Sequence, residues 1–286
     1  MEHLIDSRLL QRRVRVHLVG VGGNGAQMAA RLARLDVAMQ ALGHPAGLHV
    51  TAFDADTVSE ANVGRQLYSP ADVGQNKALL TIHRLNLFYG LDWAARPWRY
   101  EDRHGGDAEP DILVSCVDTR SARRALHRVM YSPLCITRYW LDLGNTESTA
   151  QVVLGQPLSQ VQCSPRDATA HGPRLPCVTE LFPEIMDERI PDDNAPSCSV
   201  RMSLAAQGLF VNDAVVTFAA QLLYELFSRG RLASHGVVVN LNSFRSAPID
   251  VDPEVWRRYG FGADPTPEQV GKETAISAKS NAAAPA

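Results

Sequence analysis

The stretch Val14-Arg15-Val16-His17-Leu18-Val19-Gly20-Val21-Gly22-Gly23-Asn24-Gly25 decides the fold. Six residues rich in β-branched side chains run straight into a cluster of glycines. Residues 26–42 then place Met28, Leu32, Leu35 and Met39 at three- and four-residue spacing, the period of a helix with one apolar face. Gly43, Pro45 and Gly47 stop that helix. Residues 48–53 form a second apolar run that ends on Asp54. The order is strand, glycine loop, helix, strand, which is a βαβ unit. Glycine lets the backbone approach a ligand closely, and a helix N-terminus offers free N–H groups to an anion. Gly20, Gly22 and Gly25 fit the dinucleotide fingerprint. The same three glycines serve NAD, FAD and ATP sites, and a tight turn with no ligand is the plain alternative.

Working outward, the alternation continues. Residues 77–88 read as a helix, 92–99 as a strand, 111–117 as a strongly apolar strand reaching Asp118, and 119–130 as a helix closed by Ser132-Pro133. Residues 140–144 and 149–154 read as two more strands. Strands alternating with helices predict an α/β fold, a Rossmann-like, doubly wound and mostly parallel sheet. Residues 155–199 break the pattern with Pro, Asp, Ser and Gly and no sustained period. That is far longer than the roughly 4–6 residues of an ordinary connection, and such loops are usually functional or disordered. A long apolar helix is expected over 200–227 with a break near Gly208, then strands over 237–241 and 249–251. From about Gly262 the Ala-, Pro-, Ser-, Lys- and Glu-rich sequence reads as a disordered tail.

Composition narrows the class. The chain has 286 residues, 45% of them hydrophobic and 21% charged, and 28 Lys+Arg face 31 Asp+Glu for a net charge of −3. A balance this even gives no general attraction for nucleic acid or an anionic membrane. Residues 1–13 are charged and lack the apolar stretch of a signal peptide, and no apolar run reaches the roughly 18 residues of a membrane span. Five cysteines at irregular spacing do not make a disulfide framework. The expectation is a cytoplasmic protein with no nucleic-acid or membrane partner.

The acid at the end of the second strand opens a richer segment. Asp54-Ala55-Asp56-Thr57-Val58 is followed by Asn62-Val63-Gly64-Arg65-Gln66 and by Asp72-Val73-Gly74-Gln75-Asn76-Lys77-Ala78. A dehydrogenase needs the acid for a ribose and little else there. A guanidinium and an ammonium beside a glycine loop suit a triphosphate better than a pyrophosphate. Asp56 and Asp118 suit a divalent cation bound to those phosphates.

These motifs, in this order and at this spacing, resemble the ThiF/MoeB/ubiquitin-activating enzyme superfamily over roughly residues 13–251. Within it, Leu175-Pro176-Cys177-Val178-Thr179-Glu180-Leu181-Phe182-Pro183 and Pro196-Ser197-Cys198-Ser199 look most like the ThiF-type proteins of the bacterial PRTRC cassette. The resemblance implies an N-terminal lead over 1–12, an ATP-binding adenylation domain over 13–261 with a crossover loop at 155–199, and the tail over 262–286. It places Gly20, Gly22, Gly23 and Gly25 against the phosphates and Asp54 on the ribose. Asn62, Arg65, Gln66 and Lys77 fall on the triphosphate, and Asp118, helped by Asp56, on Mg2+. The implied reaction is ATP-dependent adenylation of the C-terminal carboxylate of a ubiquitin-like protein, with a conjugating-enzyme-like acceptor downstream. The rival readings are an NAD-dependent oxidoreductase on the same fold and a nucleotide-holding scaffold without turnover.

Family members often pass the acyl group to a cysteine on the crossover loop just before a helix, which falls on Cys198. A thiol at a helix N-terminus is activated as a nucleophile. The alternative is an unreactive cysteine that packs at the helix start. Cys177 is a weaker rival, and Cys116 inside an apolar strand reads as a core residue. No Cys-x-x-Cys occurs, so a four-thiolate zinc site of that spacing is excluded. In the bacterial homodimers of the family an arginine ahead of the first strand reaches the partner's ATP site. Arg8, Arg12 and Arg13 are the candidates here, and their alternative is a solvated basic segment.

Overall fold

The computed structural model describes residues 1–102, 107–157, 172–190 and 209–262. Along the chain come β1 (His3–Leu4), β2 (Val14–Val19), α1 (Gly23–Ala41), β3 (Leu48–Phe53), α2 (Lys77–Tyr89) and β4 (Ala94–Arg96). They are followed by β5 (Ile112–Ser115), α3 (Arg120–Met130), β6 (Tyr139–Asn145) and β7 (Thr149–Gly155). Then come α4 (Val178–Leu181), α5 (Val211–Arg229), β8 (Arg231–Leu232), β9 (Ser234–Asn240), β10 (Arg245–Asp250) and α6 (Pro253–Arg258).

Among the described residues, eight strands form one sheet in the order β10-β9-β7-β6-β5-β2-β3-β4. The five from β6 to β4 are parallel, and β7, β9 and β10 extend the sheet antiparallel. The expected Rossmann-like, mostly parallel α/β fold is therefore observed. Strands β2 and β5 lie at the middle, and this explains their unbroken apolar runs: Val14, Val16, Leu18, Ile112, Leu113 and Val114 are all buried. The chain moves outward from β2 through β3 to β4, then returns to β5 and moves the other way. The strand order reverses between β2 and β5, and a ligand crevice opens at the carboxyl ends of such strands. Helix α1 packs against both α2 and α5. The right-handed crossover rule puts α3, which follows β5 in the opposite direction, on the other face.

Helix ends follow local chemistry. The Asn76 side chain accepts the Leu79 N–H (3.0 Å) to start α2, and Gly90 ends it in the left-handed conformation at φ 68°. Thr119 Oγ1 accepts the Ala122 N–H (3.2 Å) to start α3. Helix α1 begins without a side-chain cap, because its start is packed into the sheet. Gly20 turns at φ +84°, and a Cβ on Gly25 would lie 1.8 Å from the Gly20 carbonyl oxygen. Only glycine at 25 lets the helix sit on the end of β2.

Several elements differ from expectation. The strand expected over 92–99 is confined to β4, because it is a sheet edge that meets β3 at only three residue pairs. The strand of 111–117 ends at Ser115, where pairing with β2 stops. The helix begun at 200 is seen from Val211, since residues 200–208 lie outside those described. The short strands at 237–241 and 249–251 are one long hairpin, β9–β10, whose outer strand is mostly exposed and so lacks an apolar signature. Within 155–199, residues 172–190 hold α4 and the turn Pro183–Met186. The tail over 263–286 lies outside the described residues. The antiparallel pairing of β1 with β8 had no sequence signal. No helix among the described residues is long and apolar enough to cross a membrane.

His235, on β9, is fully buried and its Nδ1 bonds the Leu154 carbonyl (2.8 Å). Burial drives its pKa down from 6.5 to about 4. The unfolded chain therefore binds a proton that the folded one does not between about pH 4 and 6.5. Folding stability should rise with pH across that window and fall on acidification through it. Urea titrations at pH 4.5 and 7 should show this slope, and His235→Gln should flatten it.

Candidate active site

A cavity of about 560 Å³ lies at the carboxyl ends of β2, β3, β5 and β6. Gly20, Gly22, Gly23, Asp54, Asp56, Arg65, Gln66, Lys77 and Asp118 all line it. Residues up to 98 positions apart in sequence thus meet because parallel strands end at one edge.

Each acid has a mechanical as well as a chemical setting. Asp54 Oδ2 accepts the Val21 N–H (2.6 Å), and Oδ1 accepts the Asp56 N–H (2.8 Å). The carboxylate thereby ties the glycine loop to the end of β3. Burial raises the Asp54 pKa, while those two N–H groups and the Lys77 charge act to lower it. Asn76 bonds the Asp54 and Asp56 carbonyls (2.9 and 3.1 Å), so the cap of α2 also braces the acid loop. Lys77 is buried along its stem and reaches Asp56 (3.3 Å), which is largely exposed. Tyr68 donates to the Val21 carbonyl (2.6 Å) and fixes the loop from the other side.

Arg65 is half-buried by the cavity wall. Burial lowers its pKa, and the Asp118 carboxylate opposes that shift. A cation held in a partly dry wall is well placed for an anion, since attraction strengthens as water is removed. Gln66, beside Gly22, presents an Oε1 with no hydrogen-bond partner among the described residues. Asn62 does not line the cavity. Its Oδ1 accepts from Ser59 N (2.9 Å) and Ser59 Oγ (3.1 Å), so it shapes the turn that carries Arg65. Gly25 is also set back, serving the helix packing described above.

Beneath Asp118 lies a buried polar network with no signature in the sequence. Arg123 Nε reaches both oxygens of Asp142 (3.1 Å each), and its Nη2 donates to the carbonyls of Val117 (2.7 Å) and Leu143 (3.1 Å). Ser115 donates to Asp142 (2.5 Å) and receives the Trp140 indole N–H (2.7 Å). The guanidinium therefore clamps the ends of β5 and β6 and sets the position of Asp118. Asn24, Asn145 and Asn212 also line the cavity and were not singled out from sequence. They lie on three different elements and only the fold brings them together.

The residues suit a magnesium nucleotide. The loop offers backbone N–H groups, Asp54 keeps lone pairs for hydroxyls, and Arg65 and Lys77 supply positive charge. Among the described residues no three His, Cys, Asp or Glu side chains cluster as a metal ion needs. A cation at Asp118 and Asp56 would thus take its remaining ligands from phosphates and water.

The cysteine expectations divide. Cys116 and Cys177 are buried and burial pushes both thiols up, with the Glu180 carboxylate adding to the effect at Cys177. Cys177 is fully buried in this arrangement. Cys198 lies outside the described residues. Arg12 bonds Asp111 (2.8 and 2.5 Å) and Arg13 bonds Asp92, both at the amino ends of the strands, away from the cavity. Arg8 pairs with Asp6 (2.8 Å).

The fold is α/β, β3 runs into the acid Asp54, and the following loop and the start of α2 bring the cations Arg65 and Lys77 to the cavity. The ThiF family model matches residues 6–251, and the chain belongs to the ThiF family. It is similar to ubiquitin-like modifier-activating enzyme 5 of Branchiostoma floridae, with 27% identity over 188 residues, 59% of this chain and 43% of that protein. The same enzyme of Dictyostelium discoideum is 26% identical over 180 residues, 56% of this chain and 44% of the relative. The chain spans less than half the length of these curated relatives. Among solved structures, E. coli MccB superposes with a TM-score of 0.55 at 15% identity, over 85% of this chain and 64% of MccB. PaaA does so with a TM-score of 0.51 at 15% identity, over 83% and 64%. At that identity the likeness speaks for the fold.

Replacing Arg123 by Ala should leave Asp142 buried and unpaired, at a cost of about 3–5 kcal/mol. Urea denaturation monitored by tryptophan fluorescence measures it. A loss below about 1 kcal/mol would mean that the network is not the clamp described.

Proposed function

We propose that this protein adenylates the C-terminal carboxylate of a ubiquitin-like protein at the expense of ATP. The observation that carries the reading is the convergence of Asp54, Arg65, Lys77 and Asp118 on one cavity with the glycine loop. An NAD-dependent oxidoreductase would use the loop and Asp54 but leave Arg65 and Lys77 without a task.

In the proposed reaction a carboxylate oxygen attacks the α-phosphorus of ATP. The new bond is the mixed anhydride, the bond to the bridging oxygen breaks, and pyrophosphate leaves with the electron pair. The nucleophile is already ionised, so no general base is required. Both reactants are anions, and the barrier is largely electrostatic. Backbone N–H groups at the start of α1 donate to phosphate oxygens, and Arg65 and Lys77 offset the charge that builds on the leaving group. Asp54 holds the ribose and fixes the nucleotide along the crevice. Mg2+, held by Asp118 and Asp56, supplies further charge neutralisation when bound. Arg123 and Asp142 act only by positioning Asp118.

The family relationship and the relatives named for activating ubiquitin-like modifiers support this reading. The partners proposed with it are a ubiquitin-like protein, a conjugating-enzyme-like acceptor and a second copy of the chain.

ATP–pyrophosphate exchange tests the assignments. Arg65→Ala and Asp118→Ala should each lower exchange by at least about 100-fold, the scale of losing a charge-stabilising group, with folding intact by circular dichroism. Exchange at the wild-type rate in either variant would overturn that role. Transfer to a thiol has its own test. A DTT-sensitive adduct formed with MgATP and the ubiquitin-like partner should persist in Cys177→Ser and disappear in Cys198→Ala.

A further inference from the structure

Helix α2 is apolar on both sides. Ala78, Ile82, Leu85 and Tyr89 turn inward and pack on the core. A helix covered only by water carries polar residues on the opposite face. Here that face carries Leu79, His83 and Leu87, each four residues from the next, with Phe88 beside them. Leu79 is 48% exposed, Leu87 73% and Phe88 80%. The loop leading into the helix adds Leu67 and Val73, both exposed. Five of the sixteen exposed large apolar side chains among the described residues thus fall between positions 67 and 88. Scattered singly, such residues need no explanation, but a row of them on one helix marks a contact surface. A helix ridge is convex, so it suits another protein surface and not a small ligand.

Two observations select a second copy of this chain as the partner. The first is symmetry. A two-fold contact sets one patch against itself. Leu79 and Leu87 stand four residues to either side of His83. A two-fold axis at His83 therefore pairs two α2 helices in antiparallel sense and lays Leu79 of one copy against Leu87 of the other. The row is about 12 Å long at a rise of about 1.5 Å per residue, and ridges of this four-residue spacing pack into the grooves of a like helix. The second is charge, because a patch with unpaired charges of one sign repels its own copy. The two permanent charges of α2 are both engaged within the chain. Arg84 binds Asp72 (3.0 and 2.5 Å), and Lys77 is buried and reaches Asp56 (3.3 Å). Helices α1 and α3, by contrast, expose Arg34 and Arg128.

We propose that the outer face of α2 is a two-fold interface between copies of this chain, with Leu79, Leu87 and Phe88 as its apolar anchors and His83 at the axis. This gives the second copy named above its contact face. The interface lies outside the nucleotide cavity, and association is measured without nucleotide, so its failure leaves the adenylation reading standing.

Sedimentation equilibrium of the full chain over a dilution series gives the first test. The wild type should associate to a dimer. Leu87→Asp and Phe88→Asp should each raise the dimer dissociation constant by at least about 30-fold, the scale of losing an interface anchor. Both side chains are exposed in the single chain, so circular dichroism and the urea midpoint should stay at wild-type values. Val37→Asp, at a half-exposed position of α1, should leave the dimer intact. Cross-linking gives the second test. Position 83 lies beside itself across the axis, so His83→Cys treated with a short bismaleimide should form covalent dimer well above wild type, which reports the background from native cysteines. Val37→Cys should stay at that background. A wild type that remains monomeric at every concentration overturns the proposal. So does a dimer indifferent to both aspartates, or a His83→Cys yield no higher than that of wild type.

Discussion

The rest of the structure depends on one close contact, the approach of Gly25 to the Gly20 carbonyl oxygen. A single methyl group at position 25 would lie 1.8 Å from that oxygen. With it absent, α1 starts directly on the end of the central strand, and its free N–H groups face the crevice between β2 and β5. Asp54 can then reach the Val21 N–H, and Asn24 the end of β6. Were α1 displaced by even an ångström, both bonds would be lost and the crevice would lose its anion-binding end.

The walls of the crevice divide the chemistry. On the β3 side, charges are held in partly dry surroundings. Asp54 is shifted up by burial, and Arg65 is shifted down by burial against the pull of Asp118. Toward the end of β6 the lining includes the amides Asn24, Asn145 and Asn212. The proposed reaction joins two anions, and it needs positive charge where the phosphate charge grows. Below both, the Arg123–Asp142 pair is buried and fully used, so it contributes rigidity rather than reactivity.

Much of this was legible in the sequence, for local reasons. The β2–α1–β3 unit announces itself through period, glycine spacing and the acid at 54, all within 41 residues. Lys77 and Asp118 were found because one starts a helix and the other follows a strand, and Arg65 because its motif follows the acid at the end of β3. What was not legible depends on long-range geometry. Asn24, Asn145 and Asn212 are ordinary polar residues in sequence, 188 positions from first to last. Arg123 reads as one more charge on a basic helix, yet it turns inward because Asp142 lies buried opposite. Asn62 stands off the cavity, and its Oδ1 accepts from Ser59 in the turn that carries Arg65. The hairpin β9–β10 was underestimated because an exposed edge strand needs no apolar period.

The central claim is that this crevice holds a magnesium nucleoside triphosphate, with Arg65 and Lys77 on its phosphates. Equilibrium binding of MgATP and of NAD to the same full-length protein, with and without Mg2+, tests it most directly. The account predicts saturable, magnesium-dependent binding of ATP and no comparable binding of NAD. Binding of NAD as tight as that of ATP, or ATP binding indifferent to magnesium, would contradict it.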